Sequence, residues 1–358
     1  MEKVRLVPRV IPYFRRCRAV RLAWLPLLWA LTCVLVVHPS VLLAQGGSQE
    51  ETAVGEGALF LLLPSGAQGV ALGRAMTAVG SSESAFWNPA GLVGLEGGRA
   101  LLVRGEHVAG EATGVSVVRG GAGQGMAFGL SYQMLDVGSQ DLTDQDRQVV
   151  GSITIRSHQA IASVGRPFGQ RVRLGMNLKS IQYRVTCRGQ CPDGTVAASS
   201  WATDLGIQAT PFAGYPLDVG IMVAHLGTEF TVRDSGQSDP LPSRVRMAVS
   251  YDLLERFVEE QEVALRVVSE VEDRLRDPGN VAVFVGGQIS AAAAGIDDVS
   301  VRGGYVWGGG LDRNQTAGAG LGFGVRFDRF EFGIARSLSR GGPTSGDEPV
   351  HVTLGLVF

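Results

Sequence analysis

Apolar and polar residues alternate along most of the chain from residue 98 onward. In one such stretch Phe128, Leu130 and Tyr132 alternate with Gly129 and Ser131. Successive side chains of a β-strand point to opposite faces, so this pattern predicts strands with one apolar face and one small or polar face. Fourteen strands are predicted in this way, at residues 98–107, 112–120, 125–137, 157–166, 171–185, 200–212, 217–226, 243–253, 260–270, 280–290, 297–307, 316–327, 329–337 and 349–358.

Residues 251–276 fit two patterns. Leu254 and Phe257 have the spacing of a helix stripe, whereas Val263 and Val267 belong to a period-two alternation. We favour a strand, because the pattern of connections described next requires one. A helix would reduce the strand count to 13 or 12.

The lengths of the predicted connections separate a membrane barrel from a soluble sandwich, since alternation alone suits both. Every second connection is short, at residues 121–124, 167–170, 213–216, 254–259, 291–296 and 328, and most of the others are longer, at 138–156, 186–199, 227–242, 271–279, 308–315 and 338–348. Outer-membrane barrels have short periplasmic turns and longer external loops. The sequence therefore predicts an all-β protein, with a transmembrane antiparallel barrel over residues 96–358 and both barrel termini on the periplasmic side.

Aromatic residues support the same fold. The last predicted strand ends on Phe358, which resembles the carboxy-terminal signal read by outer-membrane assembly machinery, and we predict that role for it. Further aromatic residues lie near predicted strand ends, where interface girdles form: Tyr132, Trp201, Tyr251, Tyr305, Trp307, Phe327 and Phe330.

Residues 1–44 have the composition of a secretory signal peptide. A basic stretch precedes residues 22–37, which carry no charge, and Ala44 precedes a polar start. We predict cleavage near Ala44, export to the outer membrane, and a linker over residues 45–63. An uncleaved anchor is the alternative, although 16 apolar residues are short for a membrane span.

The net charge and the cysteines limit the partners and cofactors that the exported protein is expected to bind. Removing residues 1–44 takes away seven positive charges and one negative charge, so the formal net charge falls from −2 to −8. A nucleic-acid partner would require a basic face, and none is predicted.

Cys187 and Cys191 remain in the exported part, where an oxidising compartment favours a disulfide between them. Further zinc ligands do not lie nearby, and we predict no metal or other cofactor.

A stretch rich in glycine and alanine, residues 64–95, precedes the strands. The lead from Ala67 to Ala78 and the turn from Trp87 to Leu92 resemble the amino-terminal segment of the PorV/PorQ family, which are FadL-like outer-membrane barrels. The resemblance implies a plug inside the barrel; a plain linker is the alternative. Glycines on the predicted inner face at residues 318–324 suit close approach by another backbone. The resemblance places the plug or gate at Phe86, Trp87, Asn88, Pro89, Ala90 and Gly91.

Catalytic motifs are not recognisable in the sequence, and we predict that the protein is not an enzyme. The resemblance to PorV implies a non-catalytic role in binding and escorting secreted proteins, as in type IX secretion. The alternatives are FadL-like passive transport of small hydrophobic molecules across the outer membrane, and a structural outer-membrane protein. The expected partners are outer-membrane lipid, the barrel-assembly machinery, and either secreted cargo proteins or hydrophobic small molecules.

Overall fold

The chain forms a closed antiparallel barrel of 14 strands. The computed structural model describes residues 55–107, 109–190, 195–232, 238–254, 263–293, 295–308, 318–339 and 349–358. Each strand pairs with its neighbour in sequence, and β1 pairs with β14 to close the barrel. The strands are β1 Gly98–His107, β2 Gly110–Arg119, β3 Ala127–Thr143, β4 Val149–Phe168, β5 Val172–Gly189, β6 Val196–Ala209, β7 Leu217–Gly227, β8 Arg244–Asp252, β9 Val263–Arg274, β10 Ala282–Ala293, β11 Ile296–Gly308, β12 Gly318–Phe327, β13 Phe330–Ser339 and β14 Val350–Val357.

The predicted barrel and its strand count are confirmed. Each predicted strand overlaps an observed one, and Val263–Arg274 forms β9, paired on both sides, so the helix alternative is wrong for these residues. Residues 255–262 lie outside the described residues, as does the predicted signal peptide. Among the described helices, none is long and apolar enough to cross a bilayer.

Two predicted loops are shorter than expected. Strands β3 and β4 continue pairing across a bulge between Asp136 and Gly138, so most of residues 138–156 is strand, and β5 and β6 likewise extend into residues 186–199. Most side chains at residues 138–144 are exposed. Alternation arises only where one face is buried, which explains why the sequence pattern did not reveal these extensions. An unpredicted hairpin, Phe230–Val232 with Ser238–Asp239, lies in the β7–β8 connection.

The two ends of the barrel differ in the connections they carry. We call the end with the β1–β2, β3–β4, β5–β6 and β7–β8 connections the upper end. The end with the β2–β3 and β4–β5 connections, where β1 begins and β14 ends, is the lower end. The predicted topology assigns the lower end to the periplasm, because short turns are typical of that side.

The outward face of the wall is apolar. Phe128, Leu130, Met176 and Leu205 are exposed, whereas Ser131 and other polar residues on the same strands are buried. A soluble protein would bury the first set and expose the second, so this arrangement is that of a barrel surrounded by lipid. The apolar core lies inside, where Leu72, Met76, Val79 and Trp87 pack with Val268 and Phe284 of the wall.

Candidate functional site

The amino-terminal segment, residues 55–97, is built from short helical turns. They are 3-10 turns at Leu59–Leu62, Ser82–Ala85 and Pro89–Gly94, and one α-helix, α1, at Ala67–Ala71. Leu61 and Leu62, which the sequence analysis assigned to a linker, are buried. Glycine and proline prevent longer helices here.

The segment runs from the upper end of the barrel to the lower end. At its start, the Gly57 amide donates to the Pro240 carbonyl in the β7–β8 connection, 2.9 Å away. At its end, the Leu95 carbonyl accepts from the Ala122 amide in the β2–β3 connection, 2.8 Å away. Between these points the segment contacts inward-facing residues of strands around the whole circumference.

Inward-facing glycines are where the segment meets the wall. A Cβ atom on Gly320 would overlap with the Val70 carbonyl, and one on Gly304 would overlap with the backbone of Leu72 and Gly73. The close approach of a second backbone, expected from the glycines of residues 318–324, is therefore present. A Cβ atom on Gly175, Gly220 or Gly286 would likewise overlap with backbone of the segment, and one on Gly206 would overlap with the Asn88 side chain.

Glu83 fixes the fold of the segment. Its buried carboxylate accepts hydrogen bonds from the Gln68 and Gly69 amides, at 3.1 and 3.0 Å, which are free amides at the start of α1. It also accepts from Thr353 Oγ1 of β14 at 2.9 Å, and Thr353 Oγ1 accepts from the Ala67 amide at 2.8 Å. One carboxylate thus links two turns of the segment to the wall.

We predict that Glu83→Ala lowers the free energy of unfolding by about 3 kcal/mol, because it leaves two buried amides without an acceptor at roughly 1–3 kcal/mol each. Urea unfolding in lipid vesicles, followed by tryptophan fluorescence, measures the change. Glu96→Ala is the matched control, since Glu96 is exposed. Equal urea midpoints for Glu83→Ala and the wild type would contradict the assignment.

A second carboxylate anchors the middle of the segment. Glu270 of β9 is buried and accepts from the Thr77 amide at 2.8 Å and from Thr77 Oγ1 at 2.9 Å. The Thr77 carbonyl in turn accepts from Asn88 Nδ2 at 2.7 Å and from Gln208 Nε2 of β6 at 2.9 Å. The backbone groups of Thr77 therefore all have partners inside the barrel.

The predicted gate residues lie together in the segment. Asn88 caps the turn that begins at Pro89, because its Oδ1 accepts from the Ala90 amide at 3.1 Å. Trp87 is buried, its indole N–H donates to the Ser65 carbonyl at 3.0 Å, and the guanidinium of Arg246 lies 5.6 Å from its ring centroid. Ala90 and Gly91 are buried, while Phe86 is partly exposed. Their role as a plug or gate stays a prediction.

Basic residues of the inner face pair with acidic ones. Arg244 binds Glu56 of the segment through two hydrogen bonds, at 2.8 and 2.7 Å, and Arg246 lies 2.5 Å from Glu272. Buried charges require such partners, since desolvation is costly. The pairing ties the first described residues of the segment to β8.

A bulge in β7 carries a buried polar cluster that the sequence did not reveal. His225 has a left-handed backbone, and its amide donates to Asp204 Oδ1 of β6 at 2.9 Å. Lys179 of β5 lies 2.7 Å from Asp204 Oδ2 and donates to His225 Nδ1 at 3.3 Å. Ser243 donates to the His225 carbonyl at 2.9 Å, so the backbone groups freed by the bulge are satisfied.

Two cavities lie beside the segment. One of about 30 Å³ is lined by Leu61, Leu62, Trp87 and Met222, together with polar side chains. A cavity of about 150 Å³ holds benzene, so this one is too small for an aromatic hydrocarbon. The other, about 240 Å³, lies at the lower end and is lined mainly by polar and charged side chains. They include Arg266, Gln288, Asp298, Arg302, Arg326 and Glu331.

Solved structures match this chain in fold. No protein-family model matches the sequence, and no curated protein matches it. The CymD monoaromatic hydrocarbon channel matches with a TM-score of 0.56 and 11% identity, over 85% of this chain and 99% of that one. The Ralstonia pickettii toluene transporter TbuX matches at 0.54 and 10%, over 82% and 98%. A Pseudomonas aeruginosa FadL homologue matches at 0.50 and 10%, over 83% and 99%.

The fold is that of the FadL-like outer-membrane barrels. At these identities the likeness concerns the fold alone, so membership of the PorV/PorQ family stays a prediction. The FadL-like fold and the apolar outward face together support the outer membrane as its location. CymD is named as a channel and TbuX as a transporter, and absence of enzymatic activity stays a prediction for this chain.

The remaining residues predicted from the sequence are Phe358 and the two cysteines. Phe358 follows β14 at the lower end, and its carbonyl accepts from the Gly98 amide of β1 at 2.6 Å. Cys187 lies in β5, but Cys191 is outside the described residues, so their disulfide stays a prediction. Among the described residues, no cluster of three or more His, Cys, Asp or Glu side chains could hold a metal ion.

Proposed function

We propose that this protein is a passive route for small hydrophobic molecules across the outer membrane. The observation that carries the proposal is the match of its barrel to a monoaromatic hydrocarbon channel and a toluene transporter, over nearly the whole length of each. The secretion role implied by the resemblance to PorV has no supporting observation of its own.

An apolar cluster at the upper end supports the proposal. It joins the segment to β5, β6 and the β7–β8 connection, and its Leu61 lines the small cavity beside Trp87. Phe60 and Tyr183, which pack against the cluster, are only partly buried, so a hydrophobic molecule that reaches the upper end would leave water on contact with them. The cluster consists of Leu61, Ile181, Ala198, Ala202, Phe230 and Leu241.

Passage requires the amino-terminal segment to move. The cavity beside Trp87 is too small for a hydrocarbon ring, and the larger cavity is polar. Leu226 and Gly227 of β7 pair with β6 but not with β8, because β8 begins opposite Ala224. We infer that a small shift of the segment near Leu61 and Trp87 opens a path past this part of the wall.

A reversible disulfide between the segment and the wall tests this function. A Cβ atom on Gly333 of β13 would lie 3.3 Å from Ala67 Cβ, close to the roughly 3.5–4.5 Å of disulfides. We predict that cells carrying Ala67→Cys with Gly333→Cys take up radiolabelled toluene only after reduction. The wild-type protein should support uptake in both conditions.

The two single-cysteine variants are the matched controls, and neither should respond to reductant. Uptake by the oxidised double variant at the wild-type rate would show that passage does not need the segment to move. Wild-type uptake no faster than that of cells without the protein would contradict the proposed function itself.

A further inference from the structure

The pairing register sorts the outward side chains of β3 to β6 into rows across the wall. One row, the aromatic row, contains Tyr132 and Trp201 with Ala160 and Ser180 between them. Tyr132 is 41% exposed and Trp201 is 58% exposed. Exposed Tyr and Trp at one level of a barrel mark the edge of the hydrocarbon region. Four residues toward the lower end, the corresponding row is apolar: Phe128, Val164, Met176 and Leu205.

A basic row lies above the aromatic row. Four residues toward the upper end, Arg156 of β4 and Arg184 of β5 occupy directly paired positions. Arg156 Nε donates to Asp136 Oδ2 of β3 at 2.8 Å, and its side chain is still half exposed. Arg184 is exposed and has no ion pair with the residues that the structure describes. The row therefore carries two guanidinium groups and one carboxylate, which pairs with Arg156.

The basic row lies at the height of the lipid headgroups in the surrounding membrane. Four strand residues span about 13 Å, and a strand tilt of about 35–45° reduces the height to roughly 10 Å above the aromatic row. Arginine side chains can bend toward the interface while their stems lie on apolar surface. The guanidinium groups thus lie at the level where the outer part of a lipid headgroup meets water.

We propose that Arg156 and Arg184 bind the phosphate of a lipid headgroup in the surrounding membrane. Paired guanidinium groups match phosphate oxygens in geometry and charge. Between the basic and aromatic rows, Tyr132 Oη lies 2.7 Å from His158 Nδ1, which gives the headgroup a polar surface. The apolar row beneath accommodates acyl chains. A lipid uses all three rows, whereas a free phosphate would use one.

Native mass spectrometry of the detergent-purified protein tests the site, with diphosphorylated lipid A as the probe. We expect Arg156→Gln and Arg184→Gln each to weaken binding about fivefold, and the double variant about 25-fold. Arg166→Gln is the matched control, because Arg166 is an exposed, outward residue of the same strand at the lower end. It should change binding by less than about twofold, given a screened single charge.

Two further probes test whether the site recognises the phosphate of a lipid or free phosphate. Lipid A without phosphates should bind the wild type as weakly as diphosphorylated lipid A binds the double variant. Inorganic phosphate should bind the wild type far more weakly than diphosphorylated lipid A, because it can contact the basic row alone. Unchanged lipid A binding by a folded double variant would overturn the proposal. An equal loss with Arg166→Gln, or tight binding of the phosphate-free lipid, would also overturn it. Heat-modifiable migration on gels verifies that each variant is folded.

Discussion

Gly304→Val is expected to displace the amino-terminal segment from the wall and to expose it to protease. A Cβ at this position would overlap with the Gly73 amide and the Leu72 carbonyl carbon. Both neighbours are backbone, and β11 is held by ladders to β10 and β12 on either side. Overpacking of this kind costs about 1–3 kcal/mol or more, because neither side can yield through a side chain.

Trypsin measures the displacement directly. Arg74 lies in the segment one residue after Gly73, and its Nη2 donates to the Leu62 carbonyl at 2.8 Å inside the barrel. We expect the wild-type barrel to resist cleavage after Arg74, and the Gly304→Val barrel to be cut there at least about tenfold faster, in line with a loss of 1.4 kcal/mol or more.

Gly303→Val is the matched control. A Cβ on Gly303 would meet Leu321 Cδ2 at 3.4 Å, which is ordinary contact with a flexible side chain. The two variants change neighbouring residues of one strand by the same atoms, on opposite faces. If both barrels resisted trypsin equally, the segment would not be seated against Gly304.

The strands of the barrel wall could be predicted from the sequence, because burial of one strand face makes apolar residues recur at every second position. In β9 the pattern fitted a strand and a helix alike, and the alternation of connection lengths favoured the strand. In β12 the period of two placed the glycines on the inner face. The same argument fails above the lipid, where β3 is exposed on both faces and β4 is half-buried on both, so that no alternation of burial remains. Strands that pair without burying one of their faces leave no alternation of apolar and polar residues in the sequence.

The contacts of the candidate site were only partly predictable. The turn at Asn88 was recognised from a local signal, and the gate role of Trp87 and Asn88 was predicted from a family resemblance; both residues are buried. The partners of Thr77 were not, because Glu270 is 193 residues away and its sequence context suits a solvated charge as well. The bulge at His225 was also missed, although the outward apolar positions shift there by one residue, from Val223 to Leu226. Long-range polar contacts depend on the register of the closed barrel, which local patterns do not specify.

Phe358→Asp is expected to reduce the amount of assembled barrel in the outer membrane at least about tenfold, in line with a loss of 1.4 kcal/mol or more. Phe358 lies where β14 meets β1, and its amide donates to the Gly98 carbonyl at 3.0 Å. A Cβ on Gly98 would overlap with the Phe358 ring, so the ring covers the glycine at the closing pair of strands. An aromatic over a strand glycine stabilises pairing that glycine alone weakens. Aspartate removes the ring that covers Gly98 and places a charge on the lipid-facing side of the wall.

The variant Phe330→Asp distinguishes an effect on barrel closure from the effect of placing a charge against lipid. Phe330 is 62% exposed and Phe358 is 63% exposed, and Phe330 begins β13, which pairs with β14 on the side opposite β1. Both variants put a carboxylate on the wall, but only Phe358→Asp disturbs the pair that closes the barrel. The heat-modifiable band in outer-membrane fractions reports assembly. A similar loss in both variants would assign the effect to the charge in lipid. Normal assembly of Phe358→Asp would show that the β1–β14 pair closes without the ring, because the backbone bonds to Gly98 then suffice.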